Sequence, residues 1–323
     1  FIILSVLPLL FANSFLQAVF QGLQDFKVFN LVAIFGSIMN LVFLIIVVLL
    51  LRFNVAGTII SFFASVIAPT LILLIYLRKR NITVGFKYIS KEFIKDSIVY
   101  GYKAHLSNIL AFVNYRADIL MISYFLSPVA VGIYNVAVSV AEKLWFISQP
   151  VSTVLFPRIS SMKSDDERNK LTAVVARNVL FISLIVAVIL YFIIDILIVF
   201  IFGEQYKLAS KVIKILLVGI TLFSAERILS NDLAGRGKPE INLYTSLFTV
   251  ATNVALNIVL IPISGILGAA LATSITYSLA FILKIVIFSK ITKVGFLSII
   301  LINKNDIKLY KNMYANIKRR IKK

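Results

Sequence analysis

The chain has no cysteine and a single histidine. Those absences exclude a disulfide framework, a thiol nucleophile, a Cys-ligated metal and any cluster of His ligands. Acidic residues are scarce too: 14 Asp and Glu stand against 33 Lys and Arg, a formal charge of +19. Such a charge can mark a nucleic-acid binder, but here the basic residues lie between and after apolar runs, where the positive-inside rule accounts for them. No nucleic-acid partner is expected. Apolar residues are what the chain has in plenty. Of its 323 residues 60% are hydrophobic, and mean hydropathy is +0.98. That lies far outside the soluble range and fits a protein that crosses a bilayer many times. The chain opens Phe1-Ile2-Ile3-Leu4 without an initiator Met, so it is expected to begin in or just before a span, and no targeting segment is readable.

Apolar runs long enough to cross a hydrocarbon core predict nine spans, over 1–20, 28–50, 56–77, 98–125, 129–156, 176–202, 209–233, 241–262 and 266–289. Short links between them favour antiparallel hairpins. The fold class is an all-α membrane protein. A polar tail rich in Lys and Asn follows. Ile307, Tyr310, Tyr314 and Ile317 recur in it at helical spacing, so it reads equally as an amphipathic helix on the membrane surface or as a disordered basic segment. Most Lys and Arg fall in the loops near 21–27, 78–103, 157–177 and 234–240 and in the tail, whereas Arg52, Lys207, Lys211 and Lys214 fall on the other side. The first side is expected to be cytoplasmic, tail included.

The chain also repeats itself. Gly22 before the second span matches Gly235 before the eighth, Asn40 matches Asn253 at the same separation, and Val55-Ala56-Gly57 corresponds to Ile266-Leu267-Gly268. Spans one to three thus read as a parallel repeat of spans seven to nine, a transporter signature. Completing that repeat calls for about 115 more residues, roughly three helices, ahead of Phe1 and for two six-helix halves in the whole protein.

Full charges inside apolar runs need a reason. Arg116 and Asp118 sit within 98–125, where Lys103, Ser107, Asn114 and Asp118 share one helical face and His105 and Arg116 lie nearly opposite. The other cations within spans are Lys143, Arg227 and Lys284; the anions are Glu142, Glu226, Asp232 and Asp195. Such groups face a bundle interior or a wet cavity by default. Pairing within the protein is the plainer alternative, as is snorkelling by Lys103 and Lys284 near span ends. Asn242, Ser246, Thr249, Asn253 and Asn257 share a face of the eighth span, and Glu142 shares one with Asn135, Ser139 and Gln149 in the fifth. Polar faces of this kind bind helices to one another and would also suit sugar hydroxyls. Gly265, Gly268, Ala269, Ala270, Ala272 and Thr273 allow close helix approach, and Tyr277 and Lys284 share the face of Thr273, which leaves a minor cavity role open. His105 reads as a packed or cavity-lining residue. Gly235-Arg236-Gly237-Lys238-Pro239 lacks the full phosphate-loop pattern and reads as a tight basic turn. Asp165-Asp166-Glu167 reads as a solvated helix start. Neither a metal nor a cofactor is expected, and Asp195 has no explanation at this level.

Several motifs occur in a suggestive order: Arg116-x-Asp118-x(5)-Tyr124-Phe125, Val131-Gly132-Ile133-Tyr134-x-x-Ala137, Glu142-x-Leu144, Phe156-Pro157-x-Ile159-Ser160, Leu229-x(4)-Ala234-Gly235-Arg236-x-Lys238, Asn253-x(3)-Asn257 and Gly265-x-x-Gly268-Ala269-Ala270-x-Ala272-Thr273. Over most of 1–290 the chain resembles the polysaccharide and O-antigen flippases of the multidrug/oligosaccharidyl-lipid/polysaccharide exporter superfamily. The resemblance implies a MATE-like transporter of twelve to fourteen helices. It would move undecaprenyl-pyrophosphate-linked sugars from the cytoplasmic to the outer leaflet of a bacterial inner membrane by alternating access.

On that reading 1–97 holds the last three helices of an incomplete N-terminal bundle and a cytoplasmic linker, 98–290 is the C-terminal six-helix bundle and 291–323 is the basic cytoplasmic tail. The expected substrate-binding residues are Arg116, Arg227, Lys143, Lys103, Asp118, Glu142, Lys284 and Asn253. Arg holds phosphate oxygens with a planar fork and Lys with a mobile point charge. The acids would balance those cations or couple an ion gradient of H+ or Na+. The expected partners are the lipid-linked oligosaccharide, the bilayer, and a polysaccharide polymerase with other assembly proteins. Two further classes stay open. A cation-coupled drug exporter would want carboxylates and aromatics in its cavity. A membrane-embedded glycosyl transferase or polymerase would want clustered acids or a large outer loop.

Overall fold

The computed structural model describes residues 6–82, 90–308 and 310–311. Among them every regular element is helical. The chain divides into two compact units, Phe1–Ile94 and Lys95–Lys323.

The first unit contains α1 (Leu7–Gly22), α2 (Phe26–Phe43) and α3 (Asn54–Lys79). The Asp25 carboxylate accepts from the Val28 N–H and caps the start of α2, satisfying a donor that the first turn leaves free. At its other end α2 widens into a π-type turn, Leu44–Leu50. Leu16, Phe20, Val28, Val32, Leu73 and Leu77 form the core of this unit. Asn13 donates to the Thr70 hydroxyl at 2.8 Å and ties α1 to α3.

The second unit contains all but the first turn of α4 (Lys91–Phe125), and α5 (Pro128–Ala141), α6 (Trp145–Ser161), α7 (Asp165–Phe202), α8 (Lys207–Gly235), α9 (Pro239–Thr292) and the short α10 (Phe296–Ile300). Ser127 caps α5 with Pro128 in its first turn, where a missing N–H costs nothing. Ser164 caps α7, with Asp165, Asp166 and Glu167 in the first turn, where their charge suits the helix dipole. Helix α8 is buried along most of its length and packs against α5, α6, α7 and α9. Helix α9 turns back at Gly265, whose φ of 58° and ψ of −137° belong to a region open mainly to glycine. Beyond the turn, a Cβ on Gly268 would lie 2.0 Å from the Leu260 carbonyl oxygen. The two arms of α9 therefore run antiparallel and supply two spans.

Among the described residues six helical stretches are long and apolar enough to cross a membrane: Phe26–Leu50, Asn54–Lys79, Pro128–Ser161, Asp165–Phe202, Glu204–Gly235 and Pro239–Thr292. They cover seven of the nine expected spans, and α1 and the more polar α4 occupy the places of the other two. On α7 Leu184, Val188, Phe192, Ile196 and Phe200 are exposed, a belt that calls for lipid rather than water. Two expectations change in detail. The span at 129–156 is no single helix: a 3-10 turn, Glu142–Leu144, divides α5 from α6, so the polar stripe read through Glu142 to Gln149 changes phase there. Helix α7 begins at Asp165, well ahead of 176. In the tail Asn305, Asp306 and Ile307 are helical, whereas Tyr314 and Ile317 lie outside the described residues.

Candidate functional site

Two constellations stand out in the second unit. The first is centred on Asp118, which is 4% exposed. The Tyr134 hydroxyl of α5 donates to Oδ2 at 2.7 Å, and Asn257 Nδ2 of α9 donates to Oδ1 at 2.7 Å. The Thr273 hydroxyl, from the returning arm of α9, also donates to Oδ2. Asn253 completes the group: it accepts from Asn257 at 3.0 Å and donates to Thr273 Oγ1 at 3.4 Å. Helical spacing puts Asn253 and Asn257 on one face, and the Gly265 turn folds Thr273 onto it. All of Asp118's partners are neutral. No Lys or Arg among the described residues lies within ion-pair distance of it, and the buried Asn257 Oδ1 and Asn114 Oδ1 have no hydrogen-bond partner.

The second constellation is centred on Arg227 of α8. Its guanidinium carbon lies 4.6 Å from the centroid of the Trp145 ring, and Nη2 donates to the Tyr115 hydroxyl at 3.4 Å. Tyr115 and Phe223 stand 5.3 and 5.9 Å from Trp145, and Phe223 stacks on Tyr277 at 4.5 Å. A guanidinium over an aromatic face is held by the ring's quadrupole. Among the described residues no carboxylate lies within ion-pair distance of Arg227. Glu142, in the 3-10 turn, is within electrostatic reach of Arg116, Arg227 and Lys143.

The remaining expected site residues scatter. Arg116 is exposed. Lys143 is exposed too, over the Phe146 ring. Lys103 pairs with Glu240 at 3.4 Å. Lys284 does not snorkel. It is 1% exposed, donates to Asn242 Oδ1 and Thr245 Oγ1 at 2.7 Å each, and lies 3.5 Å from Glu226. Its three donors are thereby matched inside the bundle. Asn253 is fully buried and bonded to Thr273 on the returning arm of α9 and to Asn257. Asp232 turns to Arg236 and Thr172, at 2.6 Å each, and not to the cations within the spans. The basic turn after α8 forms as read, with Gly237 at φ 77°. His105 is exposed, and Asp195 pairs with Lys214.

Sequence reasoning singled out Asp118, Asn253 and Arg227 but did not place the partners that surround them. Tyr134, Asn257 and Thr273 were visible within motifs, though not as ligands of one carboxylate. Trp145 carried no signal beyond its position after Glu142-x-Leu144.

A family model described as "Polysaccharide biosynthesis protein" matches residues 2–211. Over 164 residues the chain is 29% identical to the "Probable low-salt glycan biosynthesis flippase" of Haloferax volcanii, covering 50% of this chain and 35% of that protein. Over 285 residues it is 25% identical to the "Putative O-antigen transporter" of Shigella flexneri, covering 83% of this chain and 64% of that protein. The chain thus spans about a third to two thirds of the length of these curated relatives. The fold is similar to that of a multidrug resistance MATE family transporter of the MOP superfamily in its outward-facing conformation. That match has a TM-score of 0.80 at 16% identity and covers 90% of this chain and 68% of the other. The expected MATE-like, all-α fold is the observed one.

Proposed function

The chain belongs to the polysaccharide biosynthesis protein family, and on that basis we propose that the protein flips a lipid-linked oligosaccharide across the membrane. Its relatives' names point to glycan flippases and O-antigen transporters rather than to enzymes. The finer reading is ours: the substrate is an undecaprenyl-pyrophosphate-linked unit of O-antigen, capsule or exopolysaccharide. It passes from the cytoplasmic to the outer leaflet of a bacterial inner membrane by alternating access, and the tail is cytoplasmic.

The observation that carries the proposal is Arg227. A membrane-embedded guanidinium is costly unless matched, yet this one rests on an indole face with no carboxylate in ion-pair range. Its π face is covered and its edge donors are the free side. A pyrophosphate brings the oxyanions that those donors fit. Arg116 and Lys143 add positive charge nearby, offset in part by Glu142. The aromatic set alone would also suit a drug exporter, but the cation at its centre disfavours a cationic drug.

The Asp118 group suits the coupling role. Its oxygens — carboxylate, carboxamide and hydroxyl — are all hard donors of the kind H+ or Na+ accepts, and the unpartnered Asn257 Oδ1 gives such an ion one more contact. An ion there supplies the positive charge that Asp118's neutral partners leave unmatched. Tyr134 and Thr273 hold the carboxylate in place, and Asn253 fixes Asn257.

Arg227→Gln tests the assignment. Losing a charge-assisted contact to phosphate costs on the order of 1.5–3 kcal/mol. Flipping of a lipid-linked oligosaccharide in proteoliposomes of the full-length protein should fall roughly tenfold or more with abundance unchanged, and Arg227→Lys should recover only part. Undiminished transport by Arg227→Gln would remove the assignment.

A further inference from the structure

We propose that Trp145 is a second ligand-contacting group beside Arg227, its indole N–H donating to an oxygen of the substrate's pyrophosphate. The proposal rests on the pyrophosphate reading of Arg227 and adds a residue that the reading does not need.

Three observations meet at Trp145. It is 8% exposed, and its Nε1 is buried with no hydrogen-bond partner. Buried indole N–H groups ordinarily find an acceptor, so an orphan in a tightly built place asks what completes it. The ring is also held firmly. Tyr115 of α4, Phe223 of α8 and Tyr277 of α9 stand 5.3, 5.9 and 6.3 Å from it, and Trp145 itself opens α6 directly after the 3-10 turn. An indole gripped from three helices is not free to swing its N–H toward a new protein acceptor. Finally, the Arg227 guanidinium lies over the same ring with its own donors nearly uncommitted.

Arg227 and Trp145 thus present donors from one place, and the protein offers neither of them a carboxylate. Glu142 is the nearest acid along the chain, but its carboxylate is not bonded to Nε1. A phosphate oxyanion satisfies both donors at once. It gains a charge-assisted contact from Arg227 and a neutral N–H from Trp145. The ring face meanwhile keeps the guanidinium oriented.

The test is equilibrium binding to the full-length protein in nanodiscs, with undecaprenyl pyrophosphate as the probe, undecaprenol as the lipid-only control and inorganic pyrophosphate as the free-anion control. Trp145 is the only tryptophan in the chain. The difference in emission between wild type and Trp145→Phe isolates its signal. We expect undecaprenyl pyrophosphate to shift that emission and undecaprenol not to. A shift with inorganic pyrophosphate as well would assign the contact to the phosphates alone.

Trp145→Phe keeps an aromatic face for Arg227 and loses only the N–H. Its Kd for undecaprenyl pyrophosphate should rise about tenfold with the melting temperature unchanged, a pattern that a packing role would reverse. Wild-type affinity in Trp145→Phe with weakened binding in Arg227→Gln overturns the Trp145 proposal and leaves the Arg227 reading intact. Wild-type affinity in both overturns both. Should Trp145→Phe fail to accumulate, 15N-indole NMR of the wild type decides. An additional downfield shift of an indole N–H on ligand addition supports the contact, and no moved indole resonance at saturation overturns it.

Discussion

Two aspartates are equally hidden and oppositely treated. Asp118 is 4% exposed and Asp306 1%. Asp306 receives both arms of the Arg177 guanidinium, Nε at 2.6 Å and Nη2 at 2.8 Å. Asn178 adds 3.1 Å and the Asn303 backbone N–H 2.9 Å. Arg177 spends its remaining arm on the Ser298 carbonyl at 3.0 Å. That carboxylate is matched in charge and in hydrogen bonds, and Arg177 holds its pKa down to about 2. Asp118 has hydrogen bonds from Tyr134, Asn257 and Thr273 but no cation. A bidentate ion pair fixes a place in the fold, here the seating of the post-α9 segment against α7. A carboxylate held by neutral donors keeps an unmatched charge, which a mobile cation or proton can meet and release. The first serves structure; the second is the one we propose for exchange.

The largest expected effect breaks the matched site. Arg177→Ala leaves a buried carboxylate without its cation, at a cost of about 3–5 kcal/mol. Thermal unfolding in detergent should show it as a clear drop in Tm. The double change Arg177→Met with Asp306→Leu should recover much of that loss, because two apolar groups leave no orphan charge. Equal damage from single and double changes would mean that the pair itself, rather than charge matching, supports the fold.

Acid should reach the same site more gently. The Asp306 pKa is depressed from the usual carboxylate value to about 2. Its contribution is therefore complete above about pH 4 and lost as pH falls through 2, amounting to about 2 kcal/mol. A pH series of melting curves, compared with Asp306→Asn, should isolate this step, since the variant lacks the titrating group. Identical acid profiles would remove Asp306 from the account.

Asp118→Asn should give the reverse pattern. The amide keeps the shape and accepts some of the same hydrogen bonds, so stability should change by about 1 kcal/mol or less. Transport driven by an H+ or Na+ gradient should fall at least tenfold. A variant that melts early and transports normally would make Asp118 a structural knot and erase the contrast with Asp306.

How much of this was legible in the sequence depends on the distance along the chain between partners. Seven of the nine expected spans were legible because apolar length and the bilayer fix each other. The break between the spans ending at 262 and starting at 266 was legible in the apolar runs, but the turn at Gly265 was not, since that glycine read only as allowing close helix approach. Asn253 and Asn257 were legible as one face, since the information is local. Asp118's partners were not, because Asn257 and Thr273 lie 139 and 155 residues away and helical spacing says nothing about which faces meet. Arg177 looked like one more flanking cation of the positive-inside rule, and only folding reveals that Asp306, 129 residues on, had claimed it. The break at Glu142–Leu144 was hidden for another reason: Glu142, Lys143 and Leu144 all favour ordinary helix, and the tighter turn forms where they pack against α8.

Asp195 supplies the smallest effect and a control for the other two acids. It lies in α7 and pairs with Lys214 of α8, and the two side chains are 52% and 25% exposed. Lys214 also lies 5.0 Å over the Tyr191 ring, so its ammonium keeps a second contact if the carboxylate is lost. An exposed pair between flexible side chains contributes about 0–1 kcal/mol, and the aromatic contact leaves Lys214 without the buried, unmatched charge that makes Arg177→Ala costly. Asp195→Asn should therefore shift Tm barely and leave transport unchanged. The expected ranking in stability is Arg177→Ala, then Asp118→Asn, then Asp195→Asn, while in transport only Asp118→Asn stands apart among variants that still fold. A loss of transport in Asp195→Asn comparable to that of Asp118→Asn would show that removing any acid from these spans impairs the protein, and that neutral partners do not mark Asp118 for exchange.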